Sequence, residues 1–198
     1  MIQMLRGKYI MDRKRTIFNV LMYAAEQSFK QLFSDKNEHF YYCTLVMMDC
    51  SVPCISAMSE ESLTRLLEEN ADGEISSDKD KAYFRWSYAD SPYCGYGYDE
   101  YFTEVSDFFS YDITDDLSEE EYEERICDWL EEMREVMKAL KDKGIFKDKC
   151  TENVFLIAEQ QPPESDINTE NARYLNDDEG FKKWYRDNKA EYEEIEQY

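Results

Sequence analysis

A single histidine, His39, serves all 198 residues of this chain. Nucleophilic catalysis of the Ser–His or Cys–His kind would have to be built around it, and no G-x-S-x-G elbow, H-E-x-x-H pair or P-loop stands anywhere in the sequence. His39 reads instead as a residue at the start of a strand. The six cysteines (Cys43, Cys50, Cys54, Cys94, Cys127, Cys150) are too few for a disulfide scaffold in a chain of this size. Cys50-x-x-x-Cys54 lacks the second pair of ligands that a zinc site needs, so buried, unreactive thiols are expected. Six glycines include Gly95-x-Gly97, with no basic residue near enough to cradle a phosphate. The acidic run Glu119–Glu124 lacks the oxygen-ligand loop and turn glycine of a calcium site. No catalytic residue, no metal and no cofactor is therefore expected.

Long apolar runs are missing as well. Ile17–Ala25 follows Arg13-Lys14-Arg15, but Asn19 interrupts it and no small-residue cleavage site follows, so it reads as a helix and not as a signal. With nothing near the roughly twenty apolar residues of a membrane span, a cytoplasmic protein without a membrane partner is expected. Positive charge is scarce: 23 Lys and Arg face 45 Asp and Glu, a net charge of -22. Such a chain repels phosphate, which excludes nucleic acid and favours a basic protein partner. The imbalance is uneven. Residues 1–36 hold seven basic residues against three acids, whereas residues 99–135 hold sixteen acids against Arg125 and Arg134. That asymmetry also makes self-association as a homodimer conceivable.

What the chain has is helical periodicity, a few apolar strands and aromatics. Residues 1–11 read as a flexible leader, with Met11 as an alternative start. Ile17, Val20, Leu21 and Ala24 form one stripe of a helix over 12–33. Phe40–Met48 is apolar at nearly every position, the pattern of an interior strand, and Val52–Met58 follows as an edge strand because of Pro53. Ser59 caps a helix that stops near Asn70. Lys81–Tyr88 alternates as a third strand, with Arg85 and Trp86 on opposite faces. A helix near Glu100–Ser110 follows. The longest helix opens on the capping box Ser118/Glu121 and closes at Gly144. Asn153–Glu159 is the fourth strand. Residues 160–179 read as a loop or linker, and 180–198 as an amphipathic helix docked on a domain over 12–159. The fold class expected is α+β: a single domain with a small, mostly antiparallel sheet of about four strands packed by helices.

Eight aromatic side chains gather between Tyr83 and Tyr101 around one cation, Arg85. Tyrosine offers rigid contact area with a polar tip, and arginine among rings stacks or grips a carboxylate. The candidate binding residues are thus Arg85, Trp86, Tyr88, Tyr93, Tyr96, Tyr98 and Tyr101.

The order FYYCTLVMMD (Phe40–Asp49), SEESL (Ser59–Leu63), FRWSYADSPY (Phe84–Tyr93), EYF (Glu100–Phe102), LKDKGIF (Leu140–Phe146) and VFLI (Val154–Ile157) resembles the bacterial family catalogued as domain of unknown function 4303. The match covers roughly Asp12–Glu159, and Arg85-Trp86-Ser87 is its most specific piece. The family offers no catalytic residues to carry over. The resemblance implies an immunity role beside toxin genes. The expected function is a non-catalytic, acidic protein-binding domain, an immunity protein that neutralises a basic toxin. One alternative is a small hydrolase or ligand-binding enzyme using Arg85 to hold an anionic substrate; another is a self-associating structural module.

Overall fold

The computed structural model describes residues 2–70, 78–148, 150–163 and 166–193. The order is α1 (Ile2–Asp35), β1 (Phe40–Met48), β2 (Cys54–Ser59), α2 (Glu60–Glu69), α3 (Asp78–Trp86), α4 (Tyr98–Tyr101), α5 (Thr103–Asp112), α6 (Glu119–Asp142), β3 (Cys150–Gln161), α7 (Ile167–Leu175) and α8 (Asp178–Glu193). The class is α+β. No helix among the described residues is long and apolar enough to cross a membrane.

The sheet corrects two expectations. It has three strands in the order β2-β1-β3, and it is mixed: β1 pairs antiparallel with β2 and parallel with β3. The hairpin between β1 and β2 turns on Asp49 and Cys50, both at positive φ (47° and 51°), the left-handed pair a tight hairpin demands. β3 runs parallel because it returns only after the long crossover through α6. Ser118 and Glu121 form the capping box that starts α6, and Gly144 at φ +78° lets the chain turn out of it.

The missing fourth strand is Lys81–Tyr88, which is helical through Trp86. An eight-residue stretch of aromatics interleaved with Arg85 and Ser87 fits either period, and tertiary context decides it. The outer edge of β2, where another strand would pair, is held by the segment after α3. Gly95 N–H donates to Ile55 O at 2.8 Å, Ser56 Oγ donates to Tyr88 O at 2.9 Å, and Ser91 Oγ donates to Ala57 O. The opposite edge, on β3, is held by three asparagines. Asn168 accepts from Gln160 N–H and donates to its carbonyl, both at 2.8 Å; Asn171 donates to Ala158 O at 2.9 Å; Asn176 accepts from Leu156 N–H at 2.9 Å and donates to its carbonyl at 2.7 Å. Within 160–179, read from sequence as a loop or linker, the chain thus completes β3, forms α7 and completes that ladder.

Alternation along the strands sends residues to two cores. Phe40, Cys43, Leu45, Met47, Ile55, Ala57, Leu156 and Ala158 pack beneath α1 and α6 around fully buried Phe29 and Trp129. Tyr42, Met58, Phe155 and Ile157 face Trp86 and Trp184 on the other side. Part of the charge asymmetry is met inside the first layer. Buried Arg13 and half-buried Lys14 of α1 meet Asp112 at the end of α5 and Asp128 and Glu131 of α6. Arg13 to Asp112 is 2.8 Å, Lys14 to Asp128 is 2.8 Å, and Arg13 also pairs with Asp128.

Candidate functional site

Three elements converge on Arg85. It stands in the last turn of α3, and its guanidinium lies 4.7 Å from the centre of the Tyr41 ring. The Tyr41 hydroxyl donates back to the Arg85 carbonyl at 2.9 Å, so ring and cation hold each other in register. Burial pushes the Tyr41 phenol up, with Arg85 opposing and Glu60 adding to the shift. Glu60, the first residue of α2, sits 3.6 Å from the guanidinium and leaves it only loosely paired.

These residues wall an open cleft of 780 Å³ between α2, α3, the start of β3 and α8. Trp86 and Phe155, both nearly buried, form part of its floor with their rings 5.2 Å apart. Trp86 is fixed by its indole N–H, which donates to Asp187 at 3.1 Å; Asp187 also pairs with Arg186 at 3.2 Å. Along α8 the rim carries Lys182, Lys183 and Arg186, with the Lys183 ammonium 5.9 Å from the Trp86 ring centre. Four cations line the cleft against three acids, Glu60, Asp177 and Glu179. In a chain of net charge -22, such a locally positive lining opposes the general trend.

The structure divides the seven sequence-derived candidates into three groups. Arg85 and Trp86 belong to the cleft. Tyr88 lines a separate cavity of 300 Å³ beyond Trp86, with Asp49, Glu159 and Trp184. Burial, then Glu159, raises the Tyr88 phenol. Tyr93, Tyr96, Tyr98 and Tyr101 pack with the other core, against the end of α1. Tyr93 donates to Glu38 at 2.7 Å, and Tyr96 donates to Asp35 at 2.7 Å. Burial and Glu38 push Tyr93 up to about 12; Asp35, then burial, push Tyr96 up to about 12. Burial works against the Glu38 charge, but hydrogen bonds from Ser59, Tyr93 and Arg65 outweigh it and hold that carboxyl below its usual range. Gly97, at φ +71°, brings the loop close to α1: a Cβ there would lie 2.8 Å from Ser28 Oγ. His39 pairs with Glu61 at 2.6 Å and stands apart from the cleft lining.

Sequence reasoning missed Tyr41, Glu60, Lys182, Lys183 and Arg186. A signal for the last three was present: Phe181-Lys-Lys-Trp-Tyr-Arg186 is a basic cluster with helical spacing inside an acidic chain.

A mixed three-stranded sheet packed by helices, with a cationic cleft at one end of α3, defines an α+β fold. The chain belongs to the family described as domain of unknown function (DUF4303), which matches residues 21–177. No curated protein and no solved structure matches it.

Proposed function

We propose that the chain is a binding protein whose cleft receives a small anionic ligand with a flat or apolar body. The observation that carries this reading is the convergence of Arg85, Lys182, Lys183 and Arg186 over Tyr41, Trp86 and Phe155. A carboxylate or phosphate approaching Arg85 exchanges the loose 3.6 Å contact with Glu60 for a bidentate one. The lysines of α8 add charge without fixing orientation, and the rings supply apolar contact beneath the ligand body. The lining includes no thiol, histidine or free hydroxyl nucleophile among the described residues, which favours holding over bond breaking. The test is titration of a panel of nucleoside monophosphates and aromatic carboxylates, followed by intrinsic tryptophan fluorescence. Arg85→Ala should weaken binding by about tenfold or more, the weight of one charge-assisted contact. Equal affinity of wild type and variant for every probe that binds, or no binding at millimolar concentration, defeats the reading.

A second reading, an immunity-type inhibitor of a basic toxin, draws on a different surface. Asp99, Glu100, Glu104, Asp107, Asp115, Asp116, Glu119, Glu120, Glu123 and Glu124 are all exposed along α4, α5 and the start of α6, and Tyr111 among them is 73% exposed. This face steers a cationic protein, so the association rate with a toxin domain encoded beside the gene should fall steeply with salt. A rate indifferent to ionic strength removes this reading.

A further inference from the structure

Two thiols meet where the aromatic loop crosses β2. Cys54 opens that strand and is 3% exposed; Cys94, in the loop, is only half-buried. The bond from Gly95 N–H to Ile55 O and the contact from Ser91 to Ala57 O lay the loop antiparallel against the strand. Cys94 precedes Gly95 and Cys54 precedes Ile55, so the Gly95–Ile55 backbone bond brings the two cysteines into the same neighbourhood. The Cys54 thiol turns its proton toward the Cys94 sulfur, and Ser56, whose own hydroxyl proton goes to Tyr88 O, stands beside the same sulfur. The titratable groups facing Cys94 are Cys54 of β2, Glu159 of β3 and Tyr88 of the loop. The bond from Cys54 favours the Cys94 thiolate, burial and the Glu159 charge disfavour it, and the balance holds this thiol down to about 7. Cys54 moves the opposite way, raised by the bond it donates and then by burial.

The remaining thiols provide contrast. Cys127 is exposed on α6, where burial and the nearby Glu131 and Glu123 raise it. Cys43 touches Cys150 but is fully buried, and burial raises it. Cys94 and Cys150 are each partly accessible with a second thiol beside them. Of Cys43, Cys54, Cys94 and Cys127, Cys94 is the one whose thiol is held down.

We propose that Cys94 and Cys54 form a reactive dithiol, which a hydroperoxide converts into a disulfide joining the aromatic loop to β2. The Cys94 thiolate attacks the terminal peroxide oxygen. An S–O bond forms, the O–O bond breaks, and hydroxide or alkoxide leaves, giving a sulfenic acid. The Cys54 sulfur then attacks the Cys94 sulfur, the S–S bond forms, the S–O bond breaks, and water leaves with the Cys54 proton. The peroxide takes up two electrons and the two thiols supply them.

The experiment uses the full chain. Reduced protein at pH 7 is alkylated with iodoacetamide and each cysteine is followed by peptide mapping. Cys94 should react about fivefold faster than Cys127, after its higher thiolate fraction is discounted for the lower nucleophilicity of a more acidic thiol. Stoichiometric hydrogen peroxide should then produce a Cys54–Cys94 disulfide that dithiothreitol reverses. In Cys54→Ser the reaction should stop at a Cys94 sulfenic acid that dimedone traps. Because the first two measurements use the native chain, they stand even where the variant fails to fold. Alkylation of Cys94 no faster than Cys127, a different pairing after peroxide, or no dimedone adduct in a folded variant would each overturn the proposal.

Discussion

Replacing Asp112 with alanine removes the carboxylate on which three elements close. Asp112 is 1% exposed; it accepts from Arg13 at 2.8 Å, from the Trp129 indole at 2.9 Å and from Arg125 at 3.2 Å. The variant leaves the Trp129 N–H without its acceptor inside the core and deprives Arg13, itself 8% exposed, of one of its two anions. Breaking a buried pair costs about 3–5 kcal/mol when the survivor is stranded, and an unsatisfied buried donor costs about 1–3 kcal/mol. Arg13 keeps Asp128, so the lower end applies, near ~3 kcal/mol. Urea unfolding followed by tryptophan fluorescence, with a slope near ~2 kcal/mol per molar, should show the midpoint falling by ~1.5 M. The double variant Arg13→Met/Asp112→Leu removes that pair but leaves Asp128 to Lys14 alone and the Trp129 N–H without its acceptor, so it should recover only part of that loss. An Asp112→Ala midpoint indistinguishable from wild type would refute the claim that this cluster staples α1 to α5 and α6.

Two further expectations concern the aromatic loop. Gly97→Ala combines φ +71° with a Cβ only 2.8 Å from Ser28 Oγ and should cost ~2 kcal/mol or more, whereas Gly95→Ala, at φ +70° with open space around its Cβ, should cost only the backbone strain of ~1 kcal/mol; equal losses would show that the approach to α1 is unimportant. Glu38→Gln should destabilise the protein at neutral pH through the contacts to Tyr93 and Arg65. Because folding depresses this carboxyl below its usual value of 4.5, the stability it adds is present above that pH and fades as pH falls through the folded value. The gap between wild type and variant should therefore narrow in acid, and a gap constant from pH 7 to pH 3 contradicts the assignment.

Much of the frame was legible because it rests on local chemistry. The apolar run Phe40–Met48, the capping box at Ser118 and the glycine after α6 each announce themselves within a few residues. Lys81–Tyr88 misled because aromatic residues fit either period over so short a span, and because the place for another strand beside β2 is taken by the loop that follows. Arg85 was legible as a cation among rings, but its partners Tyr41 and Lys183 lie far off in sequence, where periodicity says nothing of what meets what. The Tyr93–Tyr101 group read as a recognition surface because its ties to Asp35 and Glu38 depend on where the end of α1 falls. Asn168, Asn171 and Asn176 carried the signature of turns; their work on β3 depends on a register that only the folded chain sets.

That asparagine row restricts how the molecule meets others. Side-chain amides copy the peptide group, so Leu156 and Gln160 are answered at both N–H and carbonyl as a neighbouring chain would answer them, Ala158 at its carbonyl, and on the far border the loop does part of the same for β2. A visiting peptide would find the rungs at Leu156 and Gln160 on one flank and at Ile55 on the other already taken. Strand addition along that stretch of β3 would first require α7 to lift its asparagines away.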